Sequence, residues 1–427
     1  MEFPYLWLFA ASFATSFVAM PLVRRIGSSI GLLDHPHERK IQAAAVPRTG
    51  GIGVLCGLVA GFAVLAVLGR GLGIPLGREI FAICVGGILI HAVGVMDDLW
   101  DIPARVKLLA QSAAVGVVVS QGVLIEQFAL PGLGSVSLGV LSIPFTVFFL
   151  LGLVNCINLV DGLDGLASGI AAIGALGLGI AGLFGGNAVL AALAVTLFGA
   201  VLGFLPYNVR GKGKTFLGDA GSMLLGWTLG VTAIMGARFG GDSTPIVVVL
   251  AAASVAILDT TTTILRRSRS QQAIFVADSM HVHHRLIRFG MTPRGAVLTI
   301  LALTLSVTAQ ALAIFVEGTR GLLIPATLAV VLVIVQIQRP RRLNLVESDA
   351  SFREVLFYLL GAQTGKEHPR LSGELAIVDL LRETAANGSP ASQASASRAT
   401  QAVTRPTPAA PPSEREETAP ARKPVTH

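Results

Sequence analysis

Eleven residues, Asn155-Cys-Ile-Asn-Leu-Val-Asp-Gly-Leu-Asp-Gly165, set two amides and two carboxylates at the junction of two apolar stretches. Phe145 to Val154 is almost wholly apolar on one side, and Leu166 to Phe184 on the other. Gly162 and Gly165 let the backbone turn between them. A central Asp costs roughly 3 kcal/mol on bilayer-insertion scales, so such groups are rare in apolar surroundings unless they work. Asp161 and Asp164 are therefore expected at a membrane–water boundary, facing a polar site. Three more polar clusters share this character: Met96-Asp97-Asp98-Leu-Trp-Asp101, the run from Pro206-Tyr-Asn208 through Phe216-Leu-Gly-Asp219-Ala-Gly-Ser222, and Met280-His281-Val-His283-His284.

If Asp97, Asp98, Asp161, Asp164 and Asp219 face one site, they cannot all stay ionised without compensation. A divalent cation supplies it, and all-oxygen ligands point to Mg²⁺, with Mn²⁺ as the alternative. Lys107, Arg210, Lys212 and Lys214 stand near in sequence and suit phosphate. Gly218 and Gly221 bracket Asp219 where an apolar segment begins, so backbone N–H groups are expected to face an anion there. Carboxylates, a metal, cations and a helix start together describe phosphoryl transfer. The three histidines lack a standard zinc spacing and an accompanying cysteine, and read as donors to a leaving phosphate. His91 reads as a hydrogen-bonded packing residue. Asp259 is expected to pair with Arg266 or Arg267.

Positioning these groups falls to membrane helices. The chain is 53% hydrophobic and 13% charged, with a mean hydropathy of +0.71. Long apolar runs of this kind fit an all-α polytopic membrane protein. Apolar spans are expected at 3–23, 50–69, 79–96, 104–122, 141–160, 163–183, 186–206, 220–238, 245–265, 296–316 and 321–337, eleven transmembrane helices in all. Glu2 precedes the first and Arg24-Arg25 follow it, the reverse of a cleaved secretory signal. Lys and Arg crowd alternate connections, which by the positive-inside rule puts the polar clusters and the C-terminus in the cytoplasm and the N-terminus outside. Residues 123–140 have hairpin turn chemistry and fall on the outer side. The transmembrane domain is expected over 1–342, a cytoplasmic extension over 343–384, and an Ala/Ser/Pro/Thr-rich disordered tail over 385–427. The net charge of +7 is scattered between apolar segments, which excludes a nucleic-acid binder. The three cysteines suggest no disulfide framework.

The ordered set Asp97-Asp98-Leu-Trp-Asp101, Asn155-x-x-Asn-x-x-Asp-Gly-x-Asp-Gly-Leu166, Phe216-Leu-Gly-Asp-Ala-Gly-Ser222 and His281-Val-His-His284 resembles the polyprenyl-phosphate N-acetylhexosamine-1-phosphate transferases, the MraY/WecA superfamily. The likeness runs from about Asp34 to Gly290, and the form of the histidine motif resembles the GlcNAc-1-phosphate branch. Gln42 departs from it, where a histidine is expected two residues after Arg39-Lys40. The resemblance implies a bacterial inner-membrane enzyme that transfers a sugar-1-phosphate, GlcNAc-1-phosphate first, from a UDP-N-acetylhexosamine to undecaprenyl phosphate, releasing UMP. It implies Mg²⁺ on Asp219 and Asp98, and Asp97 with Asp98 as catalytic groups at the attacking phosphate. Lys107, Asn155, Asn158, Asp161, Asp164 and Asn208 would bind substrate, with Phe216 stacking on uracil. Arg267, His281, His283 and His284 would meet the diphosphate and sugar. A homodimer is compatible with this reading.

Two other classes compete. An intramembrane prenyltransferase would use Asp97-Asp-x-x-Asp101 to hold Mg²⁺–diphosphate, but leaves Phe216–Ser222 and the histidines without a role. A transporter would set its acids in broken helices of inverted repeats, and the chain shows no such repeat.

Overall fold

In a computed structural model, residues 3–34, 45–75, 77–130, 134–209, 213–269, 281–288 and 291–317 are described. They all belong to one compact unit, Met1–Gly365. The expected span at 321–337, the extension, the tail, Gln42, Arg210 and Lys212 lie outside the described residues.

The described chain is helical apart from two small hairpins. α1 (Phe3–Ser29) leads through β1 (Leu33–Asp34) and β2 (Val46–Pro47) to α2 (Gly50–Leu68). Then come α3 (Arg78–Trp100), α4 (Ala104–Ser120), the hairpin β3 (Gln127–Leu130) and β4 (Gly134–Ser137), and α5 (Ser142–Val160). α6 (Leu166–Phe184), α7 (Ala188–Val209), α8 (Gly218–Gly240), α9 (Thr244–Ala252), α10 (Ser254–Arg269), α11 (Val282–Arg288) and α12 (Pro293–Glu317) complete it. Both strand pairs are antiparallel.

Eight helices among the described residues are long and apolar enough to cross a membrane. α9 and α10 together would make a ninth, but they bend by 65° at their junction. The span expected at 245–265 is therefore broken. α4, with 17 residues, is not among the eight. The eleven expected spans are thus not all matched within the described residues.

α8 is the centre of the bundle. Its most apolar stretch is 94% buried, against 28% for α1. Small residues let neighbours close on its first half, as is usual for helices that pack in lipid. Gly51 of α2 abuts Gly221, Gly94 of α3 abuts Ala220, and Gly226 abuts the α5 backbone at Val154. About two turns deeper, Gly86 and Gly87 of α3 receive the Trp227 ring, whose Nε1 donates to the Ile83 carbonyl at 3.3 Å. These contacts fix α3 and α5 against the end of α8 that carries Asp219.

The stretch before α8 is held as firmly. Gly50 and Gly51 N–H donate to the carbonyls of Phe216 (2.8 Å) and Leu217 (2.9 Å), and Phe216 N–H donates to Pro47. The first amides of α2 are thereby satisfied. The hairpin of β3 and β4 lies at the opposite end of the bundle, where Gln127 Nε2 donates to the Gly241 carbonyl beyond the C-terminus of α8.

Candidate active site

α3 ends at Asp101, which takes a left-handed conformation (φ 49°), and Pro103 follows. The Ile102 N–H donates to Asp97 Oδ1 at 3.1 Å, so the helix end orients that carboxylate. The other oxygen forms an ion pair with the Lys107 ammonium of α4. The same ammonium donates to Asp219 Oδ2 at 2.9 Å. Lys107 therefore joins α3, α4 and α8 through two carboxylates.

Asp98 does something the sequence did not reveal. Its two oxygens accept from the backbone N–H groups of Asp219 and Ala220, each at 3.0 Å. The anion expected at the start of α8 is the protein's own carboxylate, where the helix macrodipole favours negative charge. Gly218 has φ +73°, and a side chain there would meet Asp98 Oδ2. Arg48 Nη1 lies 3.6 Å from Asp98, and Arg48 also pairs with Asp34.

The Asn/Asp stretch closes the site from the α5 side. Asn155 Nδ2 donates to Gln111 Oε1 of α4 at 2.8 Å and to the Leu151 carbonyl, which makes it a brace between helices. Asn158 Nδ2 donates to Ser222 Oγ at 2.9 Å and lies within hydrogen-bonding reach of Asp219. Asp161 stands at the turn into α6. Burial, then the charges of Asp219, Asp98 and Asp164, push its carboxyl well above the ordinary carboxylate range. Asp164 is partly exposed and pairs with Lys214 at 2.5 Å. The Lys214 ammonium lies 4.6 Å from the centre of the Phe216 ring.

Asn208, expected to bind substrate, is buried and committed to the fold. Its Oδ1 accepts from Gly165 N–H (2.7 Å) and Ser168, and its Nδ2 donates to the Thr215 carbonyl. It ties the Asp161–Gly165 turn to the segment that carries Phe216.

The histidine cluster meets this turn from α11. A side chain at Gly162 would run into the His283 ring. The His281 and His283 rings are stacked with centroids 5.9 Å apart, and His284 is 4.3 Å from His283. Burial, then the neighbouring His284 and His281, pushes the His283 imidazole down to about 3, so that ring is neutral at physiological pH. Among the described residues, neither His283 nitrogen has a hydrogen-bond partner. Arg267 is buried in the last turn of α10.

Two expectations are corrected or refined here. Asp259 pairs not with an arginine but with His281 Nδ1 (2.9 Å) and the Val282 N–H (2.7 Å). His91 is a packing residue as expected, its Nδ1 donating to the Ala220 carbonyl at 3.2 Å. Sequence reasoning passed over Arg48, which meets Asp98, as well as its partner Asp34 and the Gln111 that holds Asn155. The signal available for Arg48 was its place in the basic first loop.

Among the described residues, no three His, Cys, Asp or Glu side chains already converge as a metal cluster. The donor set still suits a hard cation: Asp97, Asp98 and Asp219 gather with Lys107 and Arg48 as countercharges, all through oxygen. Mg²⁺ typically takes one or two carboxylates and completes its shell with water and phosphate.

A family model described as glycosyl transferase family 4 matches residues 80–237, from α3 through α8. The chain is 36% identical over 293 residues to a probable undecaprenyl-phosphate N-acetylglucosaminyl 1-phosphate transferase of Bacillus subtilis, covering 68% of this chain and 80% of that protein. It is 35% identical to a decaprenyl-phosphate N-acetylglucosaminephosphotransferase of Mycobacterium tuberculosis, over 68% and 77%. To an undecaprenyl-phosphate alpha-N-acetylglucosaminyl 1-phosphate transferase of Escherichia coli it is 31% identical, over 64% and 74%. These matched stretches, and the convergence of Asp97, Asp98, Asn158, Asp164 and Asp219 on one end of the bundle, lead to one assignment: the chain belongs to the polyprenyl-phosphate N-acetylhexosamine-1-phosphate transferases.

Proposed function

We propose that this protein transfers GlcNAc-1-phosphate from UDP-GlcNAc to a polyprenyl phosphate, undecaprenyl phosphate by preference, in the inner membrane of a bacterium. The lipid phosphate oxygen attacks the sugar-bound phosphorus, the bond to the uridine phosphate breaks, and UMP leaves. The observation that carries this reading is the bonded set running from Asp97 through Lys107 to Asp219.

A phosphate monoester has its second pKa near ~6, so the acceptor is already largely dianionic. Charge neutralisation and in-line placement then matter more than a general base. Lys107 is positioned to meet the acceptor phosphate, and Asp97 orients the nucleophile without forming a covalent intermediate. Asp161, Asp164 and Asn158 place the nucleotide, with Phe216 as the stacking surface for uracil. Asp219, with Asp98 beside it, would hold Mg²⁺, whose charge would neutralise phosphate oxygens as the bonds exchange. The site faces the cytoplasm and the hairpin β3–β4 faces outside, in keeping with the distribution of Lys and Arg.

The test is nucleotide release by purified protein in detergent with polyprenyl phosphate, Mg²⁺ and UDP-GlcNAc. UMP that depends on the lipid and is lost in Asp219→Asn is the expected result. Release of UDP instead would mean plain glycosyl transfer and would overturn the mechanism.

A further inference from the structure

We propose that Asp259 is a positioning residue that holds the histidine loop in one register and His281 in one tautomer. Asp259 lies in α10, beyond the bend after α9, and is buried. Its two oxygens have separate tasks. Oδ1 accepts from the N–H of Val282, the first residue of α11, at 2.7 Å, and Oδ2 faces His281 Nδ1 at 2.9 Å. A carboxylate that accepts from a backbone amide on one side accepts on the other as well, so the proton lies on His281 Nδ1. Nε2 is then the nitrogen turned away from Asp259. It accepts a hydrogen bond while the ring is neutral and donates one only after the ring takes a second proton.

The orientation is passed on by packing. His281 and His283 stack with only 8° between their planes, and the His283 ring fits against Gly162. His283 brings two buried nitrogens, without a partner among the described residues, to the turn that carries Asp161. A single carboxylate on α10 thus sets the attitude of two imidazoles at the loop between α5 and α6. The inference rests on the reading of this end of the bundle as the sugar-phosphate site, but its first readout is independent of that reading.

That readout is the ring ¹⁵N spectrum of protein labelled at histidine, in detergent at pH 8, with His281 assigned by its loss in His281→Gln. Wild type is expected in the Nδ1–H form. Asp259→Asn keeps the size and an oxygen for Val282 N–H, but presents an amide donor to His281, and is expected to switch the ring to the Nε2–H form. With it, kcat falls on the order of tenfold to a hundredfold, the range seen when a group that orients an imidazole is lost. KM for the nucleotide sugar changes far less, and Asp259→Glu recovers part of kcat. A wild-type Nε2–H tautomer, or an unchanged tautomer in Asp259→Asn, overturns the proposal. Failure to release UMP in any variant, with the tautomers as stated, would count against the function and leave the positioning role standing.

Discussion

Asp161 carries the clearest electrostatic cost among the residues of the site. Its carboxyl is pushed up by burial and by three neighbouring carboxylates, so the fold prefers it protonated. Such a group stabilises the protein below the ordinary carboxylate pKa, and that contribution is lost as pH rises through the raised value. Asp161→Asn, which imitates the protonated form, should therefore raise Tm by about 2–5 °C at pH 8 in chelator and change it little at pH 4. Thermal unfolding in detergent at the two pH values checks this, and an equal gain at both would contradict it. His283 has the opposite sign. Its depressed pKa means stability is complete above the ordinary histidine range and declines as pH falls from there toward about 3.

At the scale of elements, the site depends on how closely α3 approaches α8. A methyl group at Gly94 would press on the backbone of Asp219 and Ala220, the two residues whose amides hold Asp98. Gly94→Ala should cost about 1–3 kcal/mol by overpacking and remove most activity. Gly116→Ala in α4, where nothing lies within 4 Å, should be neutral in both assays. Much of this level was legible beforehand, since apolar runs bounded by charge placed α2, α3 and α5 to α8 within a few residues. The bend between α9 and α10 was not. It falls at Ala253, with neither glycine nor proline to mark it, so the break comes from packing that a linear pattern does not carry. The polar residues were legible as a group, but not their partners. Asn155 and Asn208 look like ligand groups in sequence because amides in apolar runs are unusual. The structure uses both to brace neighbouring elements, which is the other way a buried amide can be satisfied.

At the scale of the whole described bundle, the two ends differ in character. One gathers the acids, Lys107, Lys214 and the histidines. The other carries the exposed strand β4 and the tie between Gln127 and Gly241. With Cys56, Cys84 and Cys156 replaced by alanine, a cysteine at Ser137 should react with a membrane-impermeant maleimide in intact spheroplasts. A cysteine at Asp164, which is partly exposed at the other end, should react only after permeabilisation. The reverse labelling pattern would invert the proposed orientation.

The seating of Asp98 on the amides of Asp219 and Ala220 has a consequence for which small anions can compete at the site. A helix start left bare attracts small oxyanions such as inorganic phosphate and sulfate. Here the socket is plugged from within by a tethered group that no dilution removes. On the proposed function, substrate phosphates are then received by side chains rather than by these two amides, and free oxyanions, lacking the nucleotide and lipid that would bring them alongside, gain no ready foothold there.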